Sequence, residues 1–238
     1  SLVGMIRNCG LVHPNHIGET ENAYALYRKR DRSGDTEEAV DFRSRFSREV
    51  PIKFLGVWDT VGALGVPLRT MEFLNEMRYG FHDTELSGIV ENAYHAMAID
   101  EHRQDYDVAL WDSKPKIGQK VEQRWFVGAH CDVGGGYQDR TLSDISLAWM
   151  MKCAEECGLV FDHPIPNCTD DACKYAANDS YTNFLGGLYC KSHERFHRKM
   201  NLEPGSTQIL DPSVISRCNL LPDYKPKNEI FALPALTV

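Results

Sequence analysis

Two apolar strand patterns, set between segments with helical patterns, constrain the fold of this chain more than any other feature. The first covers residues 51–58 (PIKFLGVW) and is followed by Asp59; the second covers residues 121–127 (VEQRWFV). A nearly continuous apolar run bounded by turn residues, as in the first, is typical of a strand that is buried on both faces. Buried strands that alternate with helices predict an α/β fold with a mostly parallel sheet flanked by helices.

Helical patterns lie before, between and after these strands. Residues 1–10 carry apolar side chains at helical spacing and end at Gly10, where a glycine C-cap is expected. The remaining patterns predict helices over residues 21–30, 36–48, 87–99 and 141–158, a loop with a short helix over 67–80, and turns beyond Pro164 with surface coil over 221–227.

Composition excludes several classes of protein. The 238 residues are 42% hydrophobic and 25% charged, as in ordinary globular domains, and are long enough to form one sizeable core. The 26 Lys and Arg against 34 Asp and Glu give a net charge of −8, which disfavours nucleic acid as a partner. No run approaches the ~20 apolar residues of a membrane span, and no signal peptide is recognisable. We expect a soluble protein, either cytoplasmic or secreted without a signal peptide.

Two ionisable residues follow the predicted strands. Asp59 ends the first strand, and His130 lies three residues beyond the second. In open α/β sheets, reactive groups gather beyond the carboxyl ends of strands, so we expect these two side chains to meet. A carboxylate that accepts from a histidine ring fixes the tautomer of the ring and stabilises the imidazolium, which is the acid and base half of a catalytic triad.

Neighbouring residues allow other interpretations. Thr60 and Asp132 are candidate supporting residues, because Asp132 could replace Asp59 as the orienting acid. The carboxylate of Asp132, two residues after His130 in a tight loop, is nevertheless expected to bond to nearby backbone. Asp59 followed by Thr60 also suits an ordinary turn at a strand end. Further charged residues predict a salt-bridged helix surface, namely His95, Asp100, Glu101, His102 and Arg103.

The chain lacks the nucleophile that would complete a triad. No serine in the 238 residues has glycine at both i−2 and i+2, so there is no G-x-S-x-G elbow. The helix over residues 1–10 is either a short amphipathic helix capped by Ser1 or the remainder of a helix that starts upstream. The second interpretation would also explain the absent serine, because an elbow serine starts a helix that packs on the sheet.

Four motifs resemble one known family. They are FLGVWDTVGALG (54–65), YHAMAIDEHR (94–103), WFVGAHCDVGGGY (125–137, with LSD at 142–144) and LPDYKP (221–226). Together they are similar to the type VI secretion lipase effector (Tle-like) catalytic domain, an α/β-hydrolase family that includes phospholipases. The resemblance implies that Asp59 is the triad acid, that His130 is the base, and that a G-F-S-R-G-A elbow precedes residue 1.

This resemblance also implies an organisation and a substrate. The 238 residues would be the C-terminal part of one α/β-hydrolase domain whose N-terminal strands are missing. Residues 1–50 would follow the elbow, residues 51–160 would hold the acid and base, and residues 161–238 would be loop-rich. The expected substrate is a lipid or phospholipid ester, with no cofactor, transient contact with a membrane surface, and an immunity or delivery protein as partner.

Two other functions stay open from the sequence. A hydrolase-like module without a nucleophile could serve as an interaction domain. Metal-assisted hydrolysis could instead use His130, Asp132 and a cysteine cluster that includes Cys153 and Cys157. The eight cysteines lack the paired C-x-x-C spacing of a zinc ribbon, so free thiols or one local disulfide are the commoner outcome.

Overall fold

A computed structural model describes residues 2–29, 35–62, 85–111 and 114–228, which fall into two compact units. The first unit comprises residues 1–55, 85–92 and 113–120; the second comprises residues 56–84, 93–112 and 121–238. Ser1 and the loop with a short helix predicted over residues 67–80 lie outside the described residues.

The first unit is mainly helical. It contains α1 (Leu2–Cys9), β1 (Leu11–Val12), a 3-10 helix (Pro14–Glu19), α2 (Thr20–Tyr27), α3 (Glu37–Phe46) and β2 (Ser47–Arg48). The three helices predicted over residues 1–10, 21–30 and 36–48 are therefore confirmed, with ends that differ by a few residues. β1 and β2 pair antiparallel.

Local chemistry explains where these helices begin and end. The hydroxyl of Thr36 accepts a hydrogen bond from the backbone N–H of Ala39 at 3.2 Å, which caps α3. α1 ends at Cys9 and is followed by Gly10, whose φ of 71° is favourable only for glycine; a Cβ at this position would lie 2.8 Å from the Cβ of Ser47. The helices enclose a small core of Cys9, Ala23, Tyr27 and Phe42.

The second unit is built on a sheet. The strands of this sheet are β3 (Leu55–Trp58), β4 (Asn92–Ala98), β5 (Lys120–Phe126) and β6 (Gln208–Leu210), in the order β3-β4-β5-β6, and all of their residues except the first of β3, β4 and β5 belong to the second unit. β5 and β6 are parallel, with Trp125 opposite Leu210. The described sheet is mostly parallel and flanked by helices, so the predicted α/β class is confirmed, as are the strands predicted before Asp59 and before His130.

Helices and turns of the second unit cover the sheet and connect its strands. They are the 3-10 helix Gln104–Tyr106, α4 (His130–Gly134), α5 (Thr141–Glu156), the 3-10 helix Asp170–Lys174, α6 (Ser180–Asn183), the 3-10 helix Phe184–Gly187, α7 (Tyr189–Ser192) and α8 (Pro212–Leu220). α5 confirms the long helix predicted from Thr141. The core of this unit includes Met97, Ile99, Trp125, Val127 and Val214.

The helix predicted over residues 87–99 is wrong. Residues 92–98 form β4, in which every residue from Ala93 to Ala98 is buried. A short apolar run that is buried on both faces cannot be distinguished from a buried helix by its spacing alone, and here the sheet position decides. The structure also contains β6 and α8 in the part of the chain where only turns were predicted.

The carboxyl ends of β3, β4 and β5 lie side by side. The backbone N–H of Asp59 donates to the carbonyl of Ala96 at 2.7 Å, and the N–H of Asp100 donates to the carbonyl of Gly128 at 3.1 Å. Residues that follow these three strands are therefore held together at one edge of the sheet, as the strand pattern predicts.

Candidate active site

Asp59 directly follows β3 and has an unusual backbone conformation. Its φ is 37°, in the left-handed region that non-glycine residues rarely adopt, and its side chain is fully buried. Such a conformation costs about 1–3 kcal/mol and persists where surrounding contacts fix it, which occurs often at functional sites.

The carboxylate of Asp59 accepts four hydrogen bonds, two at each oxygen. Oδ1 accepts from the backbone N–H of Ala98 at 2.8 Å and from Nη1 of Arg198 at 2.6 Å. Oδ2 accepts from Nη2 of Arg198 at 3.0 Å and from Nδ1 of His130 at 2.6 Å. Burial alone would raise the pKa of Asp59, but the charge of Arg198 and these hydrogen bonds lower the pKa to about 2.

His130 is the first residue of α4, and its side chain is 27% exposed. Because the Asp59 carboxylate is ionised at neutral pH, it can only accept, so Nδ1 of His130 donates to it at 2.6 Å. This fixes the tautomer of the neutral imidazole, with the proton on Nδ1 and a lone pair on Nε2. An oriented imidazole with a basic Nε2 can accept a proton from a hydroxyl.

Asp132 holds the loop that carries His130. Its Oδ2 accepts from the backbone N–H groups of Ala129 and Asn178, both at 2.9 Å, and its Oδ1 accepts from Nδ2 of Asn178 at 2.6 Å. The side chain is thus bonded to backbone within its own loop and to one distant residue, whereas the ring of His130 is bonded to Asp59.

Thr60 contacts a different histidine. Its backbone N–H donates to Nε2 of His95 at 3.2 Å, and its hydroxyl lies 3.0 Å from the same nitrogen. His95 is fully buried, and burial is the main reason that its pKa is lowered to about 4. Thr60 therefore fixes a neutral, buried histidine on β4, one strand away from His130.

A buried ion pair that the sequence placed on a helix surface also belongs to this region. Glu101 is fully buried, and its Oε1 accepts from Nε of Arg103 at 2.9 Å, while its Oε2 accepts from the backbone N–H of His130 at 3.2 Å. Burial would raise the pKa of Glu101, but the hydrogen bond and charge of Arg103 lower it. The predicted salt-bridged helix surface is therefore wrong, because His95 lies within the buried strand β4 and the other four residues follow that strand.

The ring of Tyr106 contacts His130, and the ring of Phe184 packs against Tyr106. The guanidinium carbon of Arg103 lies 3.5 Å from the ring centre of Tyr106 and 4.6 Å from that of Phe184. The ring of Tyr106 in turn contacts the imidazole of His130 edge-on, at 5.5 Å between centres. Glu101, Arg103 and Tyr106 together support His130 from the segment that follows β4.

The sequence reasoning missed Arg198. This residue lies among turns between α7 and β6, where no periodic pattern or motif draws attention to it. Its contact with Asp59 joins positions 139 residues apart. No local signal reveals this residue, whereas Glu101 and Arg103 lie within the motif YHAMAIDEHR at residues 94–103.

Neither the cysteines nor the acidic residues gather into a metal site in the described part of the chain. All eight cysteines are free thiols. Within residues 2–29, 35–62, 85–111 and 114–228, no three His, Cys, Asp or Glu side chains are grouped so that they could hold a metal ion. Over the same residues, no helix combines the length and apolarity that a bilayer crossing requires.

Comparison with known proteins supports a specific family. A segment of 125 residues, 49% of this chain, is 28% identical to the uncharacterized protein YEL023C of Saccharomyces cerevisiae, but covers 17% of that protein's length. No solved structure matches the chain. Residues 1–153, which include both Asp59 and His130, match the family described as "T6SS, Phospholipase effector Tle1-like, catalytic domain". The matched segment covers well more than half of this chain. The chain therefore belongs to the Tle1-like phospholipase effector family.

Proposed function

We propose that this chain supplies the acid and the base of a serine-type ester hydrolase that acts on lipid or phospholipid esters. The observation that carries the proposal is the 2.6 Å hydrogen bond between His130 Nδ1 and Asp59 Oδ2, at the sheet edge where three strands end. Membership of a phospholipase effector family supports the lipid ester as substrate. The half-buried imidazole gives the base one face that a substrate can reach.

The proposed reaction uses His130 twice. A serine Oγ attacks the ester carbonyl, and Nε2 of His130 takes the hydroxyl proton as the new C–O bond forms. The imidazolium is stabilised by Asp59 and returns that proton to the leaving alcohol as the ester C–O bond breaks. Water then attacks the acyl-enzyme in the same way, so that a carboxylic acid and the free serine are regenerated.

The serine must come from outside these 238 residues, because none of their serines sits in a G-x-S-x-G elbow. We propose that it lies upstream and that residues 1–238 are the C-terminal part of the hydrolase domain. Asp132 and Thr60 have supporting roles in this scheme: Asp132 fixes the loop of His130, and Thr60 fixes His95 beside the strand end. An immunity or delivery protein as partner stays a prediction.

The test uses the full-length protein encoded by the gene. We expect His130→Ala and Asp59→Asn to lower phospholipid hydrolysis by roughly 10³-fold or more, since both remove the oriented base. Two neighbouring exposed residues provide matched controls, His163→Ala and Asp162→Asn, which should keep wild-type rates. A fluorophosphonate probe should label one serine upstream of residue 1, and His130→Ala should slow that labelling.

Three results would count against the proposal. Wild-type hydrolysis by a folded His130→Ala protein would remove the base, and a full-rate Asp59→Asn protein would transfer the orienting role to another carboxylate. A full-length protein with no upstream elbow serine and no labelling would instead indicate a hydrolase-like interaction module.

A further inference from the structure

Arg198 is a fully buried cation whose position is set by the candidate acid. Its side chain has no exposed surface, and it faces Asp59, which also has none. A buried guanidinium is stabilised where its charge is paired and its terminal N–H groups are bonded. Arg198 therefore lies where the carboxylate of Asp59 compensates for the loss of solvent.

The two terminal nitrogens of Arg198 each make two hydrogen bonds. Nη1 donates to Oδ1 of Asp59 at 2.6 Å and to the carbonyl of Ala98 at 2.7 Å. Nη2 donates to Oδ2 of Asp59 at 3.0 Å and to the carbonyl of Tyr106. The planar guanidinium is thus fixed on two carbonyls and binds the carboxylate in a bidentate manner, which a lysine cannot reproduce.

This arrangement determines where Asp59 presents its remaining lone pair. With both oxygens bound by one rigid fork, the carboxylate plane cannot rotate, and Oδ2 is held toward Nδ1 of His130 at 2.6 Å. We infer that Arg198 is a positioning residue of the hydrolase, which orients Asp59 and, through it, the imidazole of His130. This inference rests on the proposed function and adds to it a residue beyond the segment that matches the family, residues 1–153.

Arg198 also changes the charge that His130 experiences. Asp59 stabilises the imidazolium, but the guanidinium bound to the same Oδ2 opposes it, so the ring faces a nearly neutral pair. Removal of the cation would leave the carboxylate uncompensated and would raise the pKa of Asp59, which the charge of Arg198 lowers. Among the described residues, other titratable or charged groups near His130 include Glu101 at its backbone N–H, Arg103 and Tyr106 after β4, and Cys131 and Asp132 on α4. Asp107 also interacts electrostatically with both Arg198 and Asp59.

Two substitutions in the full-length enzyme separate these effects. Arg198→Lys keeps the charge and loses the fork, so we expect kcat to fall by about tenfold or more, with KM little changed and the acidic limb of the pH profile unmoved. Arg198→Gln removes the charge that lowers the pKa of Asp59, so Asp59 should take up a proton at higher pH and that limb should move to higher pH. The measurement is kcat and KM on phospholipid vesicles between about pH 5 and pH 9.

Arg217 provides the matched control. It is also a buried arginine that donates from Nη1 to two backbone carbonyls, those of Cys173 and Tyr175, and its side chain has no hydrogen bond to Asp59 or His130. Arg217→Gln should therefore lower the stability of the fold as Arg198→Gln does, while the acidic limb of its pH profile stays at the wild-type position. Circular dichroism of each variant establishes that the fold is retained.

Each outcome decides the inference. A folded Arg198→Lys enzyme with wild-type kcat, or a folded Arg198→Gln enzyme with an unmoved acidic limb, would overturn it. If Arg198→Gln does not fold, the kcat of Arg198→Lys decides; if neither folds, Arg198 has a structural role and the inference fails. An active His130→Ala enzyme would contradict the proposed function itself. An inactive His130→Ala enzyme, combined with Arg198 variants of wild-type behaviour, would reject this inference alone.

Discussion

A Cβ atom added to Gly128 would lie 2.5 Å from the Cβ of Asp132, closer than two such carbons can approach. Gly128 also has a φ of +105°, which side chains disfavour. The loop between β5 and α4 can therefore turn tightly enough to bring Asp132 to the N–H of Ala129 only because residue 128 is a glycine. His130 takes its position from this turn.

Gly128→Ala should consequently destabilise the protein and disturb the candidate site together. We expect a loss of about 2–4 kcal/mol in the free energy of unfolding. The loss has two causes: the φ of residue 128 is unfavourable for alanine, and the added Cβ clashes with the Cβ of Asp132. Gly205→Ala is the control, because Gly205 has a φ of +89° and no atom within 4 Å of an added Cβ. That variant should lose about 1 kcal/mol. The stability of both variants is measured by urea denaturation, and equal losses in the two would contradict the clash at residue 128.

Asp132 and Asn178 should behave as a coupled structural pair. Asp132→Asn replaces one accepting oxygen by an amide that faces N–H donors, so we expect a loss of about 1–3 kcal/mol in stability and a partial fall in kcat. A double-mutant cycle with Asn178→Ala should give a coupling energy of about 0.5–3 kcal/mol. Additive losses would contradict this coupling. Complete inactivation by Asp132→Asn beside an active Asp59→Asn enzyme would instead make Asp132 the orienting acid.

The ring of Tyr106, and not its hydroxyl, should support His130. The ring contacts the imidazole edge-on and lies under the guanidinium of Arg103. Tyr106→Phe keeps both contacts and should retain near wild-type kcat, whereas Tyr106→Ala should lower kcat by about tenfold as the imidazole gains freedom to rotate. Steady-state kinetics of the two variants test this, and similar losses in both would assign the effect to the hydroxyl.

The sequence could predict the contact between Asp59 and His130 because that contact depends on topology. Each residue follows a strand, and parallel neighbouring strands bring their carboxyl ends to one edge whatever the loops between them do. The sequence did not predict β4, because the run from Ala93 to Ala98 is short, apolar and buried on both faces, so that its spacing also suits a helix. With β4 taken as a helix, Glu101 and Arg103 were expected at the surface.

The contact between Arg198 and Asp59 could not be predicted from the sequence. Arg198 lies 139 residues after Asp59, in a part of the chain with little periodic structure, and only the tertiary fold brings the two residues together. Nothing in its immediate sequence distinguishes it from Arg195, an exposed arginine three residues earlier that pairs with Asp179. Burial alone separates the two, and burial of a lone cation is decided by the carboxylate that it meets.

His95 gives the fold a dependence on pH that can be measured apart from catalysis. Its Nε2 accepts from the backbone N–H of Thr60, and burial lowers its pKa to about 4 from the ordinary value of 6.5. Between these two values the unfolded chain binds a proton at this residue and the folded chain does not. The free energy of unfolding should therefore fall as the pH is lowered from 6.5 toward 4, by up to about 3 kcal/mol from this residue.

His95→Gln removes the titrating group and retains an oxygen that can accept from Thr60. We expect this variant to lose much of the wild-type decrease in stability between about pH 6.5 and pH 4.5, measured by urea denaturation at each pH. Asp59 stays ionised across that range, because its pKa is about 2. His163→Gln, at an exposed histidine of the same unit, should leave the wild-type pH dependence in place. An equal slope in His95→Gln and wild type would show that His95 is not the residue that makes the fold sensitive to acid.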